Sequence, residues 1–164
     1  MRMPIRSRER FGSRRGNVMV EFALSATLLT SVFTGVFQYG YSMYMYNELV
    51  EAVRAGTRYA SLANISNSGD GSIPTAFSTA VKNMVVYGTP SPGNSPTPVV
   101  PNLGTGQVSV NVVFDSSPGK VPQTVTVSIN SYTIDAIVKT YTITGKPALT
   151  MPYFGQYCAS GTTC

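Results

Sequence analysis

The sequence predicts an α+β protein: a long N-terminal transmembrane and amphipathic helix, then a small antiparallel-sheet head with a short helix. Three observations support this class. No charged residue occurs in the 26 positions from Phe22 to Asn47. Apolar residues keep helical spacing beyond that run, and valines alternate with polar residues after residue 107. The predicted divisions are a basic leader (1–16), the helix (17–63) and the α+β head (64–164).

The net charge of +5 is confined to the first 16 residues, where six arginines oppose one glutamate. The remaining chain carries six basic and six acidic groups and is neutral. Positive residues beside an apolar run mark its cytoplasmic side, so we expect a cytoplasmic leader and a periplasmic head. Because an orientation signal accounts for this charge, we expect no nucleic-acid partner, although phosphate contacts use the same residue types.

The charge-free run is long enough to span a bilayer, which takes about 20 apolar residues. A cleavable secretory signal has a shorter apolar region, about 7–15 residues. Tyrosines at 39, 41, 44 and 46 cluster near the end of the run. Tyrosine favours the membrane–water interface, so the run is predicted to leave the membrane near Tyr41–Tyr46.

The helical pattern continues past this exit. One stripe is formed by Tyr46, Val50, Val53, Thr57 and Ala60. Helix-breaking residues collect only at 64–71, so residues 17–63 are predicted to form one helix of about 70 Å. Glu51 and Arg54 are surface neighbours on it. The alternative is an ordinary anchor followed by a separate surface helix.

Glu21 is the one acidic residue at the start of the apolar run. An acid facing lipid is costly and usually has a partner or a purpose. The alternative is that Glu21 lies in the headgroup layer at little cost.

The head begins with a predicted amphipathic helix at 72–88, with Pro74 near its start and Gly88 as its C-terminal stop. Its apolar face comprises Phe77, Ala80, Val81, Met84 and Val85. Residues 89–106 are rich in Pro, Gly and Ser and predict a long exposed loop.

Two strands follow, in which Val108, Val110 and Val112 alternate with polar residues, as do Val125, Val127 and Ile129. Residues 115–119, which include a proline and a glycine, supply the turn between them. Residues 132–144 fit a helix or a strand, and a strand is favoured for the second half. The head is therefore expected to hold one sheet of three or four strands packed on helices.

The composition argues against catalysis. The chain has no His, the usual acid–base residue near neutral pH, so we predict no enzymatic activity and no catalytic residue. Cys158 and Cys164 fall short of the four ligands of a structural zinc, so we expect no metal and no cofactor. In an exported domain the two cysteines would form a disulfide that closes a small loop. The alternative is two unpaired thiols.

The segment RRGNVMVEF, residues 14–22, resembles the N-terminus of class III prepilins. In these proteins basic residues lead to a Gly, then the cleavage site, then an apolar stretch with Glu fifth and an aromatic sixth. The longer stretch RRGNVMVEFALSATLLTSVFTGVFQYG, with AVRAGTRYAS downstream, is similar to the TadE-like family, minor pseudopilins of tight-adherence (Flp-type) pili. Family members often carry a proline in the apolar run. This chain has Ser25-Ala26-Thr27-Leu28-Leu29 there, so we expect no proline kink.

The resemblance implies processing and assembly roles. A membrane prepilin peptidase would cut between Gly16 and Asn17, which makes Glu21 the fifth and Phe22 the sixth mature residue. Glu21 would pair with the new amine of Asn17 on a neighbouring subunit and set the axial register.

The expected function is that of a minor pseudopilin-like structural subunit of a tight-adherence pilus or a related secretion system. Its expected partners are the inner membrane, a prepilin peptidase, other pilins or pseudopilins and the pilus assembly machinery. Such a subunit could also be incorporated in an extracellular pilus. The alternative is a periplasmic binding or adhesion module that stays permanently anchored.

Overall fold

The computed structural model describes residues 14–66, 71–116, 120–136, 139–155 and 157–158. Its helices are α1 (Arg14–Leu62), α2 (Thr75–Tyr87) and a short 3₁₀ helix, Thr105–Gln107. Its strands are β1 (Ile65–Ser66), β2 (Val108–Phe114), β3 (Pro122–Ile129), β4 (Ser131–Asp135), β5 (Thr140–Thr144), β6 (Ala148–Pro152) and β7 (Tyr157–Cys158). The α+β class and the long N-terminal helix predicted from the sequence are confirmed.

Helix α1 is continuous, as expected for an apolar run without proline. It ends at Leu62, just before the predicted breakers begin at Asn64. The chain divides into two compact units, the first ending at Gly40 and the second starting at Tyr41. The C-terminal part of α1 therefore belongs to the same unit as the sheets. The functional division at residues 16 and 63 stays a prediction.

The C-terminal part of α1 buries one face in the core. Val53, Thr57 and Ala60 of the predicted stripe are almost fully buried. Tyr46 and Val50 are only partly buried, because the buried face also takes in Met45, Leu49 and Ala52. The buried Thr57 hydroxyl donates to the Val53 carbonyl oxygen at 2.7 Å, so its polar group is satisfied within the helix. The exposed Glu51–Arg54 pair forms as predicted.

Helix α2 spans Thr75–Tyr87, so it begins three residues later than the predicted range of 72–88, and its ends follow the predicted signals. Pro74 precedes its first turn, and Gly88 follows its last with a φ of 71°, where glycine avoids the strain of a side chain. The Gly88 N–H donates to the Met84 carbonyl oxygen at 3.0 Å. The residues of α2 that are buried in the core are Phe77, Val81, Val85 and Val86.

The segment 89–106 is exposed over most of its length, as predicted, but two of its side chains are buried. It lacks regular structure up to the short 3₁₀ helix, as its composition predicts. However, Val100 and Leu103 are almost fully buried in the core. The hydroxyl of Tyr132 also donates to the Pro101 carbonyl oxygen at 2.6 Å. Burial raises the pKa of Tyr132 above its ordinary value, which keeps this donor protonated.

The main sheet has the antiparallel strand order β2-β3-β6. Val110 lies opposite Val127 and Val112 opposite Val125, and the alternating residues predicted from the sequence point into the core. On the other side of β3, Val127 lies opposite Leu149 of β6. Of the predicted turn, Asp115 and Ser116 are described, whereas residues 117–119 lie outside the described residues.

The expectation of one sheet is corrected, because β4 and β5 form a separate antiparallel hairpin. Only Asn130 lies between β3 and β4, and its N–H donates to the Gln107 carbonyl oxygen at 2.7 Å, away from the hairpin. This bond extends the β2–β3 pairing by one residue, and the chain leaves the main sheet directly after it. The ambiguous residues 132–135 are strand, not helix, with Tyr132 and Ile134 buried. A third pair, β1 and β7, is parallel.

Tyr153 joins the end of α1 to the segment after β6. Its hydroxyl donates to the Ala63 carbonyl oxygen at 2.8 Å and accepts from the Ile65 N–H at 3.1 Å. Next to it, the Phe154 N–H donates to the Ser61 carbonyl oxygen at 2.8 Å. Burial is the main cause that raises the pKa of Tyr153 above its ordinary value, so the hydroxyl stays protonated and able to donate.

We expect Tyr153→Phe to lower the free energy of unfolding by about 1–3 kcal/mol, because it leaves the N–H of the fully buried Ile65 without its acceptor. Chemical denaturation of the full chain in detergent measures this change. The matched control is Tyr141→Phe, because Tyr141 is 43% exposed. That control should change stability by less than about 0.5 kcal/mol. Equal losses in the two variants would contradict the role given to the Tyr153 hydroxyl.

Candidate functional site

The four residues that the sequence singles out lie close together in the first turns of α1. Gly16 and Asn17 follow the first helical residue, Arg14, by two and three positions. The predicted cleavage bond therefore lies in a helix, whereas a protease cleft takes extended backbone. The first N–H groups of a helix have no intrahelical partner, and glycine weakens a helix by about 1 kcal/mol relative to alanine. Local unwinding of the helix at Gly16 therefore costs little free energy.

Glu21 and Phe22 are exposed, Phe22 to 70%. Successive helical residues differ by about 100° in direction, so the two side chains occupy different faces of α1. Among the described residues, no cationic side chain forms an ion pair with the Glu21 carboxylate. Another subunit or water could therefore supply a partner for this carboxylate.

The apolar side chains on both sides of Glu21 along α1 are largely exposed. Val18, Met19, Leu24, Leu28 and Phe33 are all at least 64% exposed. The helix that contains them is long and apolar enough to cross a membrane, by length and composition. Burying so much apolar surface is strongly favourable, at roughly 25 cal/mol per Å². Lipid or the helices of other subunits would provide that cover.

Hydroxyl groups inside the apolar run are satisfied within the helix itself. Thr27 donates to the Ala23 carbonyl oxygen and Thr30 to that of Ala26, each at 2.8 Å. Thr34 donates to the Thr30 carbonyl oxygen at 2.8 Å. Such internal bonds suit an environment without water, where an unpaired polar group is costly. Sequence reasoning missed these hydroxyls, although their spacing of three or four residues is readable.

The remaining predicted features of the chain concern metals and cysteines. The described residues include no cluster of three or more His, Cys, Asp or Glu side chains suited to a metal ion. The backbone of Cys158 lies in β7, next to Ser66 of β1. Cys164 lies outside the described residues, so the disulfide between Cys158 and Cys164 stays a prediction.

Comparison with known proteins supports the resemblance seen in the sequence. Residues 16–58 match the family model of the TadE-like proteins. The match starts at Gly16, covers the apolar run and includes most of the buried part of α1, and it amounts to roughly a quarter of the chain. No curated protein and no solved structure matches the chain at a significant level.

The match confirms the suspected TadE-like resemblance over residues 16–58. This family is structural and is not known for enzymatic activity. Within the part of the chain that the structure describes, one helix is long and apolar enough to cross a membrane, and together with the match it indicates a single-pass membrane protein.

Proposed function

We propose that the protein is a minor pseudopilin-like structural subunit that helps to assemble a tight-adherence (Flp-type) pilus or a related secretion system. The observation that carries this proposal is the uncovered apolar surface of α1 within the TadE-like segment. A helix with this surface would pass from lipid to a bundle of similar helices without exposing it to water. The protein would act by packing and not by catalysis.

The proposed orientation places the arginine-rich leader in the cytoplasm and the head in the periplasm. The six arginines of residues 1–16 precede the apolar run, and residues 17–164 have no net charge. Positively charged segments are retained on the cytoplasmic side of the inner membrane. The prepilin peptidase would therefore reach the Gly16–Asn17 bond from that side.

Cleavage would remove the leader and create a cationic amine on Asn17. This amine would lie four residues before Glu21 in its own chain, one turn along α1. In an assembled bundle the Glu21 carboxylate would pair with the Asn17 amine of a neighbouring subunit. Both groups would otherwise be buried as lone charges, which costs several kcal/mol. Phe22, exposed on a different face of α1, would pack against a further subunit of the bundle.

The proposal is tested by replacing the residue before the cleavage bond. Gly16→Leu should block processing and leave the full-length chain, because a branched side chain would enter the peptidase cleft at a position suited to glycine. An added Cβ at Gly16 meets no atom within 4 Å in the structure, so the change should not disturb folding. N-terminal sequencing and gel mobility of the protein from cells that contain the peptidase measure the outcome.

Gly40→Leu is the matched control, because Gly40 lies in the same helix and an added Cβ there also meets no atom within 4 Å. It should be processed like the wild type. If the wild-type chain itself keeps its leader while the pilus assembles, the cleavage proposal is wrong. A permanently anchored periplasmic binding or adhesion module would then fit better.

A further inference from the structure

A small cavity of about 200 Å³ lies between α1 and the beginning of β6. All of its lining residues belong to the compact unit that starts at Tyr41. One wall comes from α1 and the other from the segment that opens β6. The lining residues are Tyr46, Val50, Val53, Arg54, Lys146, Pro147, Ala148 and Leu149.

The cavity combines two cations with apolar walls. Arg54 donates from one nitrogen to the Glu51 carboxylate, and a guanidinium has five N–H donors, so most remain for another acceptor. Lys146 has no ion-pair partner among the described residues. The walls between the cations are hydrocarbon from Val50, Val53 and Leu149. A ligand that matches both features carries an anion joined to apolar groups.

The position of the cavity along α1 indicates where such a ligand would come from. Tyr46 lies in the last turn of the charge-free run, which ends at Asn47. Arg54 lies seven residues beyond Asn47, about 10 Å along the helix axis. Side chains on a helix tilt toward its N-terminus, which directs Arg54 back toward Tyr46. The polar layer of a bilayer is roughly 5–8 Å thick on each side, so the cavity would face the lipid headgroups.

We propose that this cavity binds the phosphate group of an anionic phospholipid, such as phosphatidylglycerol, through Arg54 and Lys146. Val50 and Leu149 contact the glycerol and upper acyl carbons, and the lipid holds the head against the membrane before assembly. Free phosphate offers the same anion but leaves the apolar walls unfilled. The inference rests on the membrane insertion in the proposed function.

The test uses the full chain in a neutral detergent, titrated separately with short-chain phosphatidylglycerol, short-chain phosphatidylcholine and inorganic phosphate. Amide chemical shifts of Lys146, Ala148 and Leu149 report on the cavity directly. Phosphatidylglycerol should saturate these shifts at a concentration at least about five-fold lower than the zwitterionic lipid. Lys146→Gln should weaken that binding by about five-fold, the usual effect of one basic residue near an anionic surface. The matched control, Lys82→Gln on α2, should leave it unchanged.

Three results would overturn the proposal: equal binding of the two lipids, saturation by inorganic phosphate at the same concentration as phosphatidylglycerol, or equal effects of Lys82→Gln and Lys146→Gln. Extraction of cell membranes with carbonate provides a separate readout of insertion. A chain that is released by carbonate would count against the proposed membrane function. The detergent titration reports on the cavity independently of that result.

Discussion

Gly56→Val is expected to lower the free energy of unfolding by about 2–3 kcal/mol. A Cβ added at Gly56 would overlap the Cγ2 methyl of Val85 and would lie 3.4 Å from its Cβ. Val85 is fully buried on α2 and β-branched, so it cannot rotate away freely. Overpacking of a core typically costs about 1–3 kcal/mol. The gain in helix propensity on replacing glycine is below about 1 kcal/mol and does not offset this cost.

Thermal unfolding followed by circular dichroism, with the full chain in detergent, measures the change for Gly56→Val. Gly40→Val provides the matched control, because an added Cβ at Gly40 meets no atom within 4 Å. It should leave the transition temperature unchanged or slightly higher. If the two variants had the same transition temperature, the result would contradict the close packing of α1 against α2 at Gly56.

The second large effect is expected for Glu21→Gln, which should leave the chain inserted in the membrane but reduce its incorporation with other subunits by more than about 100-fold. If the proposed function is correct, the change leaves the Asn17 amine of the neighbouring subunit without its partner carboxylate inside a bundle that excludes most water. Removing one member of a buried ion pair typically costs about 3–5 kcal/mol. Co-purification of the tagged chain with other pilus subunits from cells measures incorporation.

Glu51→Gln is the control for charge removal on the same helix. Its carboxylate forms an exposed ion pair with Arg54, and such pairs contribute at most about 1 kcal/mol. Incorporation of this variant should match the wild type. Normal incorporation of Glu21→Gln would instead place Glu21 among the lipid headgroups, where its charge has no structural role.

The elements predicted best are those whose signals are local. The charge-free run and its continued helical spacing predict α1 to within a few residues of its observed end at Leu62. Pro74 and Gly88 bracket α2 because one pre-sets the backbone for a first turn and the other takes the left-handed conformation. Alternation in β2 and β3 identifies their buried faces, since successive strand side chains point to opposite sides.

The poorest predictions concern segments whose conformation depends on distant partners. Residues 89–106 have loop composition, yet Val100 and Leu103 reach the core and Tyr132 holds the Pro101 carbonyl. Residues 132–135 fit both helical and strand spacing, and their pairing with β5 makes them a strand. The sequence does not predict β6, because this short segment follows Pro147 and ends at Pro152, and only its pairing with β3 identifies it as a strand.

The sequence alone therefore predicted the candidate site, because its parts lie in one continuous segment: a basic leader, Gly16, Asn17, Glu21, Phe22 and an apolar helix. Only the tertiary structure decided how the head is held together. It set Gly56 against Val85 and brought the Tyr153 hydroxyl to Ala63 and Ile65, which lie 90 and 88 residues away along the chain. The local sequence pattern cannot predict such pairs, because each pair forms between two residues that only the folding of the whole chain brings together.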